Sequence, residues 1–297
     1  NFIIFIYAII PVTLIAGSFL FELNLLFIVL TLIYHLFKKK ELINEIINDN
    51  FFKFFLILWL YLLFNIIMSE DYSLSFRRNI FFIKFLFIIF SFKFFLKNEL
   101  ILEKVLLIWT IVLCIVSADV IFEFTVGHNI FGFVSPMKNE RVVSFFKDEL
   151  IVGSYIFGFF FPVVGYYLYK KKQYYAFLLG ILFTVAILLS GERSSFFKLL
   201  LSMILFILFV LKQKKYKFIL LLIFITLISG MFFNDKVKFR YFDTINRSIS
   251  LDFDNLYNSA LNTKYINQSL LTYEIFKENK LFGVGNKNYF NSCSKLD

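Results

Sequence analysis

Residues 105–126 read VLLIWTIVLCIVSADVIFEFTV. Apart from two acids near its end the run is apolar, and it is long enough to cross a bilayer as one helix, which takes about 17–25 residues. The rest of the chain repeats the theme. Of 297 residues, 60% are hydrophobic, 22% aromatic and 18% charged. Soluble domains sit near about 45–50% apolar and about 25% charged. The mean hydropathy is +0.78. The expected fold class is therefore all-α, a polytopic helical membrane protein. Phenylalanine counts 46 against 11 glycines and 3 prolines. With Lys, Asn and Ile also abundant, this points to an AT-rich coding sequence of bacterial type, and to phenylalanine as lipid-facing filler more than as a binding platform.

Working outward from 105–126, apolar blocks between charged breaks predict about nine spans: 2–16, 19–37, 54–68, 80–96, 105–126, 151–169, 174–190, 196–211 and 218–233. Residues 1–233 then form a transmembrane domain, and 234–297 a large periplasmic loop segment. Lysines in short loops mark the cytoplasmic side. Lys38, Lys39 and Lys40, then Lys97 and Lys104, then Lys170, Lys171 and Lys172, then Lys212, Lys214, Lys215 and Lys217 fall in alternate loops. Everything after residue 233 is then outside. The chain starts at Asn1 inside an apolar run and stops at Asp297 in a polar one, so a piece of a longer protein is expected. Cys114 and Cys293 are the two cysteines; one lies within a span and the other in the tail, so they are not expected to pair.

The six arginines sort differently from the lysines. Arg77, Arg78, Arg141, Arg193, Arg240 and Arg247 all fall on the expected outer side. A guanidinium grips phosphate or carboxylate with two parallel hydrogen bonds, which an ammonium cannot do. An anion-binding outer surface is one reading; pairing with loop acids such as Glu70, Asp71, Glu140 and Asp148 is the other. Arg193 sits in ILLSGERSSFF, residues 187–197, between two spans. There Glu192 either orients or neutralises it, Ser194 and Ser195 suit an N-cap, and Lys198 adds positive charge. Asp119 and Glu123 are four residues apart on one face of the 105–126 helix. They read either as a working carboxylate pair or as partners for a loop arginine such as Arg78 or Arg141. Lys84 is expected to reach outward toward Arg77 and Arg78. His35 reads as interfacial, and His128 has no partners for a metal site. Phe131, Phe133, Phe145 and Phe146 give the loop 127–150 an interfacial character. Residues 265–279 predict a short helix, and Gly283 and Gly285 a turn.

Three ordered segments resemble the O-antigen ligase/polymerase family of bacterial inner-membrane proteins: FFKDELIVGSYI (145–156), LLSGERSSF (188–196) and YEIFKENKLFGVGNKNY (273–289). The resemblance implies a glycosyltransferase that takes a glycan from an undecaprenyl pyrophosphate carrier and needs no metal and no soluble cofactor. In a ligase the acceptor is a lipid A–core saccharide; in a polymerase it is another carrier-linked repeat. Arg193, Arg141 and Arg78 would hold the diphosphate, with Glu192, Lys198, Asp119 and Glu123 in support. Membrane lipid is the expected surrounding, and no nucleic-acid partner is expected. The family carries histidines after the Gly-Val-Gly-like turn; none occurs before Asp297, so the acid–base residue is expected beyond it. A transporter or flippase for a lipid-linked or anionic solute is the rival class, and inverted repeats with broken helices would mark it. Pro11, Gly158, Pro162 and Gly165 do not recur in matching halves.

Overall fold

The computed structural model describes residues 1–137, 140–210, 235–243 and 264–294. Among these the chain is helical, with no strand. Helices α1 (Phe2–Ala8) and α2 (Ile10–Ala16) open the chain, followed by α3 (Ser18–Lys38), α4 (Lys40–Asn48), α5 (Asn50–Ile67), α6 (Tyr72–Phe81), α7 (Ile83–Phe95) and α8 (Glu99–Val126). After a long loop come α9 (Val152–Tyr169), α10 (Gln173–Leu189) and α11 (Arg193–Leu205), the last running into a π-helical turn at Phe206–Val210. The short α12 (Asp235–Lys238), α13 (Lys264–Glu278) and α14 (Tyr289–Cys293) complete the set. Among the described residues, four helices are long and apolar enough to cross a membrane: α3, α5, α8 and α9. Helix α10, of 17 residues, is a shorter apolar helix of the same kind. Helix α8, at 28 residues, is about 42 Å long and exceeds a hydrocarbon core of about 30 Å. The expected span 218–233, Leu211 and Arg247 lie outside the described residues.

Two expected spans are interrupted. Residues 2–16 form two seven-residue helices that meet at Ile9. The cause is Pro11, which has no N–H to return to the Tyr7 carbonyl. That carbonyl takes the Trp109 indole N–H at 2.9 Å, and the Pro11 carbonyl takes the Tyr155 hydroxyl at 3.1 Å. The region 80–96 is divided at Phe82, and α6 begins well before it, where the Asp71 carboxylate accepts from Ser73 N (2.9 Å) and Leu74 N (3.3 Å). Capping starts a helix in a stretch whose polarity had read as loop.

The chain divides into two compact units, each assembled from early and late segments. Asn1–Phe21 with Leu102–Arg247 forms the first, and Glu22–Ile101 with Ser248–Asp297 the second. This division cuts across the 1–233 and 234–297 boundary. In the first unit α9 and α10 are packed neighbours joined through Lys170, Lys171 and Lys172, with Phe160 and Phe183 buried at their contact and Trp109 edge-on to Phe159. In the second, the Asp49 carboxylate caps α5 and pairs with Lys93, and Phe55 stacks on Phe82.

Candidate functional site

One end of the first unit collects the last turns of α8 and α10, the first turns of α9 and α11, and the loop 127–150. Asp119 and Glu123 are buried there, at 0% and 3% exposure. A buried carboxylate needs several donors, and the loop turns inward to supply them. Asp119 accepts from Ile130 N at 2.9 Å and from the Ser144 hydroxyl. Glu123 accepts from Val143 N at 3.1 Å and Ser144 N at 2.6 Å. The Ser144 carbonyl accepts from Asn129 Nδ2 at 2.8 Å. Ser144 is thus held at every polar group, and that sustains its positive φ of 51°, a conformation costly for a side chain with a Cβ. Neither carboxylate bonds an arginine among the described residues. The bonds to each carboxylate come from the loop, which the pair clamps, and not from Arg78 or Arg141. Phe146, expected at the interface, is buried against Tyr155 with ring centroids 5.1 Å apart, whereas Phe131 is exposed.

The turn between α10 and α11 carries Glu192 and Arg193. Helix α11 begins at Arg193 with Glu192 as its N-cap residue, so Ser194 and Ser195 lie inside the first turn and do not cap it. The Glu192 carboxylate instead reaches the start of α9, accepting from Ser154 N at 2.8 Å and from the Ser154 hydroxyl. Ser195 completes the contact through its hydroxyl, 2.8 Å from that of Ser154. An acid at a helix start satisfies an orphan donor and suits the positive end of the helix dipole. The approach is close enough that a Cβ on Gly153 would lie 2.6 Å from Ser190 Oγ and 2.8 Å from Glu192 Oε2. Glu192 therefore neither orients nor neutralises Arg193 through a direct bond; it ties two helices together.

Arg193 Nε donates to the Arg240 carbonyl at 2.9 Å, and Arg240 Nε donates to the Gly191 carbonyl at 2.9 Å. Arg240 Nη1 pairs with Glu140 Oε2 at 2.9 Å. Arg141 donates from Nη2 to the Leu150 carbonyl, and its buried Nε has no hydrogen-bond partner among the described residues. Burial lowers the Arg141 pKa from its ordinary value; the Glu192 charge opposes this, and the Arg240 and Arg193 charges reinforce it. Arg141 and Arg240 line a cavity of about 340 Å³ with Glu123, His128, Glu140 and Tyr241. Tyr241 donates its hydroxyl to the Leu188 carbonyl at 3.0 Å, and burial pushes its phenol well above the usual range, so it stays a neutral donor.

Of the residues expected to bind an anion, Arg141 and Arg193 come together here. Arg78 is exposed on α6 in the second unit, beside an equally exposed Arg77, and Lys198 is exposed on α11. Five residues on from Arg193, Lys198 projects about 140° round the helix, since each residue turns it about 100°. Arg240 joins the pair without having been singled out. Its one signal in the sequence was membership of the outward-sorting arginines.

In the second unit the Gly-Val-Gly turn is a docked element. Gly283 and Gly285 have φ of 65° and 90°. Asn288 Nδ2 donates to the Asp71 carbonyl (3.2 Å) and Ser75 Oγ (3.0 Å), Asn286 Nδ2 to Asn79 Oδ1 (3.0 Å), and Ser75 Oγ to the Asn286 carbonyl (3.0 Å). Lys84 pairs with Glu22 at 2.6 Å instead of reaching toward Arg77 and Arg78. Both cysteines are free thiols. No group of three or more His, Cys, Asp or Glu side chains among the described residues could hold a metal ion.

Fold and site together define, among the described residues, a helical protein with four helices long and apolar enough to cross a membrane and a guanidinium-lined cavity at the ends of its first unit's helices. Comparison with protein-family models, curated proteins and solved structures returns no match.

Proposed function

We propose that this chain is a multi-pass glycosyltransferase of O-antigen ligase type in a bacterial inner membrane. It moves a glycan from undecaprenyl pyrophosphate to a lipid A–core saccharide at the periplasmic face. The observation that carries the proposal is a cavity lined by Arg141 and Arg240, with Arg193 held against the Arg240 carbonyl through its Nε. Outward sorting of arginine in the sequence and the three family-like segments support it, and two of those segments supply Gly191, Glu192, Arg193, Gly153 and Ser154 at this end of the unit.

In this reading the carrier diphosphate lies against the guanidiniums. An acceptor hydroxyl, giving its proton to a general base, attacks the sugar C1, the bond from C1 to the diphosphate oxygen breaks, and negative charge collects on the leaving diphosphate. Fixed guanidiniums stabilise that charge as it develops, without reorganising. The nine-span topology, with lysine loops inside and arginines outside, belongs to the same proposal, as does the assignment of residues 234–297 to the periplasm.

The test is a deletion strain of the gene, in which surface lipopolysaccharide is separated by size and carrier-linked glycan is measured in the same cells. Loss of long-chain material with glycan accumulating on the carrier supports the transferase. A bare core then indicates the ligase, and a core with one repeat indicates a polymerase of the same family. An unchanged ladder with normal carrier pools refutes the glycan reading and brings forward a transporter of a lipid-linked anion. In complemented strains, Arg193→Ala is expected to abolish transfer and Arg193→Lys to restore it in part, because the lysine keeps the charge and loses the fork.

A further inference from the structure

The proposed diphosphate site has an occupant of its own. Of the acids at this end of the first unit, Asp119, Glu123 and Glu192 give their oxygens to backbone N–H groups and serine hydroxyls. Glu140 is the acid that pairs with an arginine, through Oε2 to Arg240 Nη1. Both partners line the cavity. The pair is only partly shielded, with side-chain exposures of 15% for Arg240 and 33% for Glu140, so ligand and water can reach it. The two ends of the pair are anchored unequally. Arg240 is fixed by its Nε bond to the Gly191 carbonyl and by its own carbonyl, which accepts from Arg193. Among the described residues, the Glu140 carboxylate has no bond besides Arg240.

We propose that Arg240 is a third diphosphate-binding residue and that Glu140 is its displaceable counter-ion: the carboxylate holds Arg240 Nη1 in the empty site and yields it to a diphosphate oxygen. This rests on the anion-site reading above and deepens it. Arg240 is thereby kept charged, ordered and aimed into the cavity before the ligand arrives, so less side-chain freedom is lost on binding. The exchange substitutes one charge-assisted bond for another. It also discriminates among anions: a ligand must outbid a tethered carboxylate, and a monophosphate that reaches fewer guanidiniums does so less well than a diphosphate.

The experiment uses the full chain purified in detergent, with inorganic pyrophosphate as probe and inorganic phosphate as comparison, titrated calorimetrically at low and moderate salt. Glu140→Gln removes the competing charge and nearly preserves shape, so pyrophosphate should bind about two- to fivefold more tightly, a range set by what a partly exposed ion pair is worth. The preference over phosphate should narrow in the same variant. Arg240→Gln should weaken pyrophosphate binding at least tenfold. A Glu140 that merely props the loop would give equal or weaker binding in Glu140→Gln, and that result overturns the proposal while leaving the anion site standing. Wild-type protein and both variants all failing to bind pyrophosphate would sink the anion-site reading and this inference with it. Unfolding midpoints of both variants, measured alongside, establish that binding is compared among folded proteins.

Discussion

Replacing Gly191 with alanine tests the construction of this end of the molecule. Gly191 has φ of +70°, and a Cβ there would lie 2.1 Å from the Glu140 carbonyl oxygen and 3.3 Å from the Arg141 Cα. Ordinary contact is about 3.5 Å, so the carbonyl would have to retreat by more than about an ångström. It belongs to backbone, and it cannot swing aside as the tip of a long side chain could. Its retreat carries Val142 N away from the Ser190 carbonyl, 3.1 Å in the native state, and strains the 2.9 Å bond from Arg240 Nε to the Gly191 carbonyl. The left-handed backbone costs an L-residue about 1–2 kcal/mol. The two hydrogen bonds, one with a charged donor, are worth about 2–4 kcal/mol together. A loss of about 3–6 kcal/mol follows, a large share of a typical folding free energy of about 5–15 kcal/mol. Gly180 on α10 is the control, because a Cβ there would meet nothing within 4 Å. Alanine at that position should be neutral, or stabilising by up to about 1 kcal/mol. The assay is unfolding of the purified chain in detergent, followed by helical circular dichroism at a fixed scan rate. Gly191→Ala unfolding with the wild type, or Gly180→Ala doing equal damage, would refute this account of the turn.

Two further outcomes are expected. Glu123→Gln should destabilise the protein more than Asp119→Asn, by about 2–3 against about 1–2 kcal/mol. Both Glu123 oxygens accept backbone N–H groups, so the new amide NH2 must face a donor, whereas Asp119 meets one N–H and one hydroxyl that can turn round. Unfolding midpoints and limited proteolysis of the loop 127–150 measure this, and the reverse order would refute the clamp. Asp49 has a pKa held below its ordinary value, first by its hydrogen bond to Lys93 and then by the Phe51 backbone N–H. A depressed carboxyl adds stability that is complete above the unfolded value of about 4 and is lost as pH falls through the folded value. The midpoint difference between wild type and Asp49→Asn should stay level from about pH 5 to 8 and shrink below about pH 4; a difference that grows on acidification would count against the pairing.

Apolar runs carried most of the helical layout. The stretches 19–37, 105–126, 151–169 and 174–190 fall within a few residues of α3, α8, α9 and α10, and 265–279 matches α13 almost to the residue. Hydropathy averages over side chains, so it could not register the Pro11 break, which arises from a missing N–H, or α6, which is polar and starts from the Asp71 cap. The candidate site was legible by residue type more than by partner. Helical spacing put Asp119 and Glu123 on one face, but their partners are main-chain N–H groups of a loop, and no side-chain pattern reports those. Arg240 follows the last expected span at a distance in sequence that only tertiary structure closes.

The adjacency of Glu192 and Arg193 suggests neutralisation, and the geometry separates the two. Had the Glu192 carboxylate turned onto Arg193, the start of α9 would lose its acceptor at Ser154 N and the close seat of Gly153 would have no function. Bound to Ser154, it stays near enough to influence the Arg141 charge without occupying a guanidinium. Asp119 and Glu123 are withdrawn from the arginines in the same manner, each engaged by the loop. Three acids that could have cancelled the cations thus serve as structural acceptors. Glu123 and Glu140 both line the cavity with Arg141 and Arg240, but Glu140 is the one of the two that occupies a guanidinium, which is why exchanging that carboxylate for an amide should alter anion binding more than its modest share of the surface would suggest.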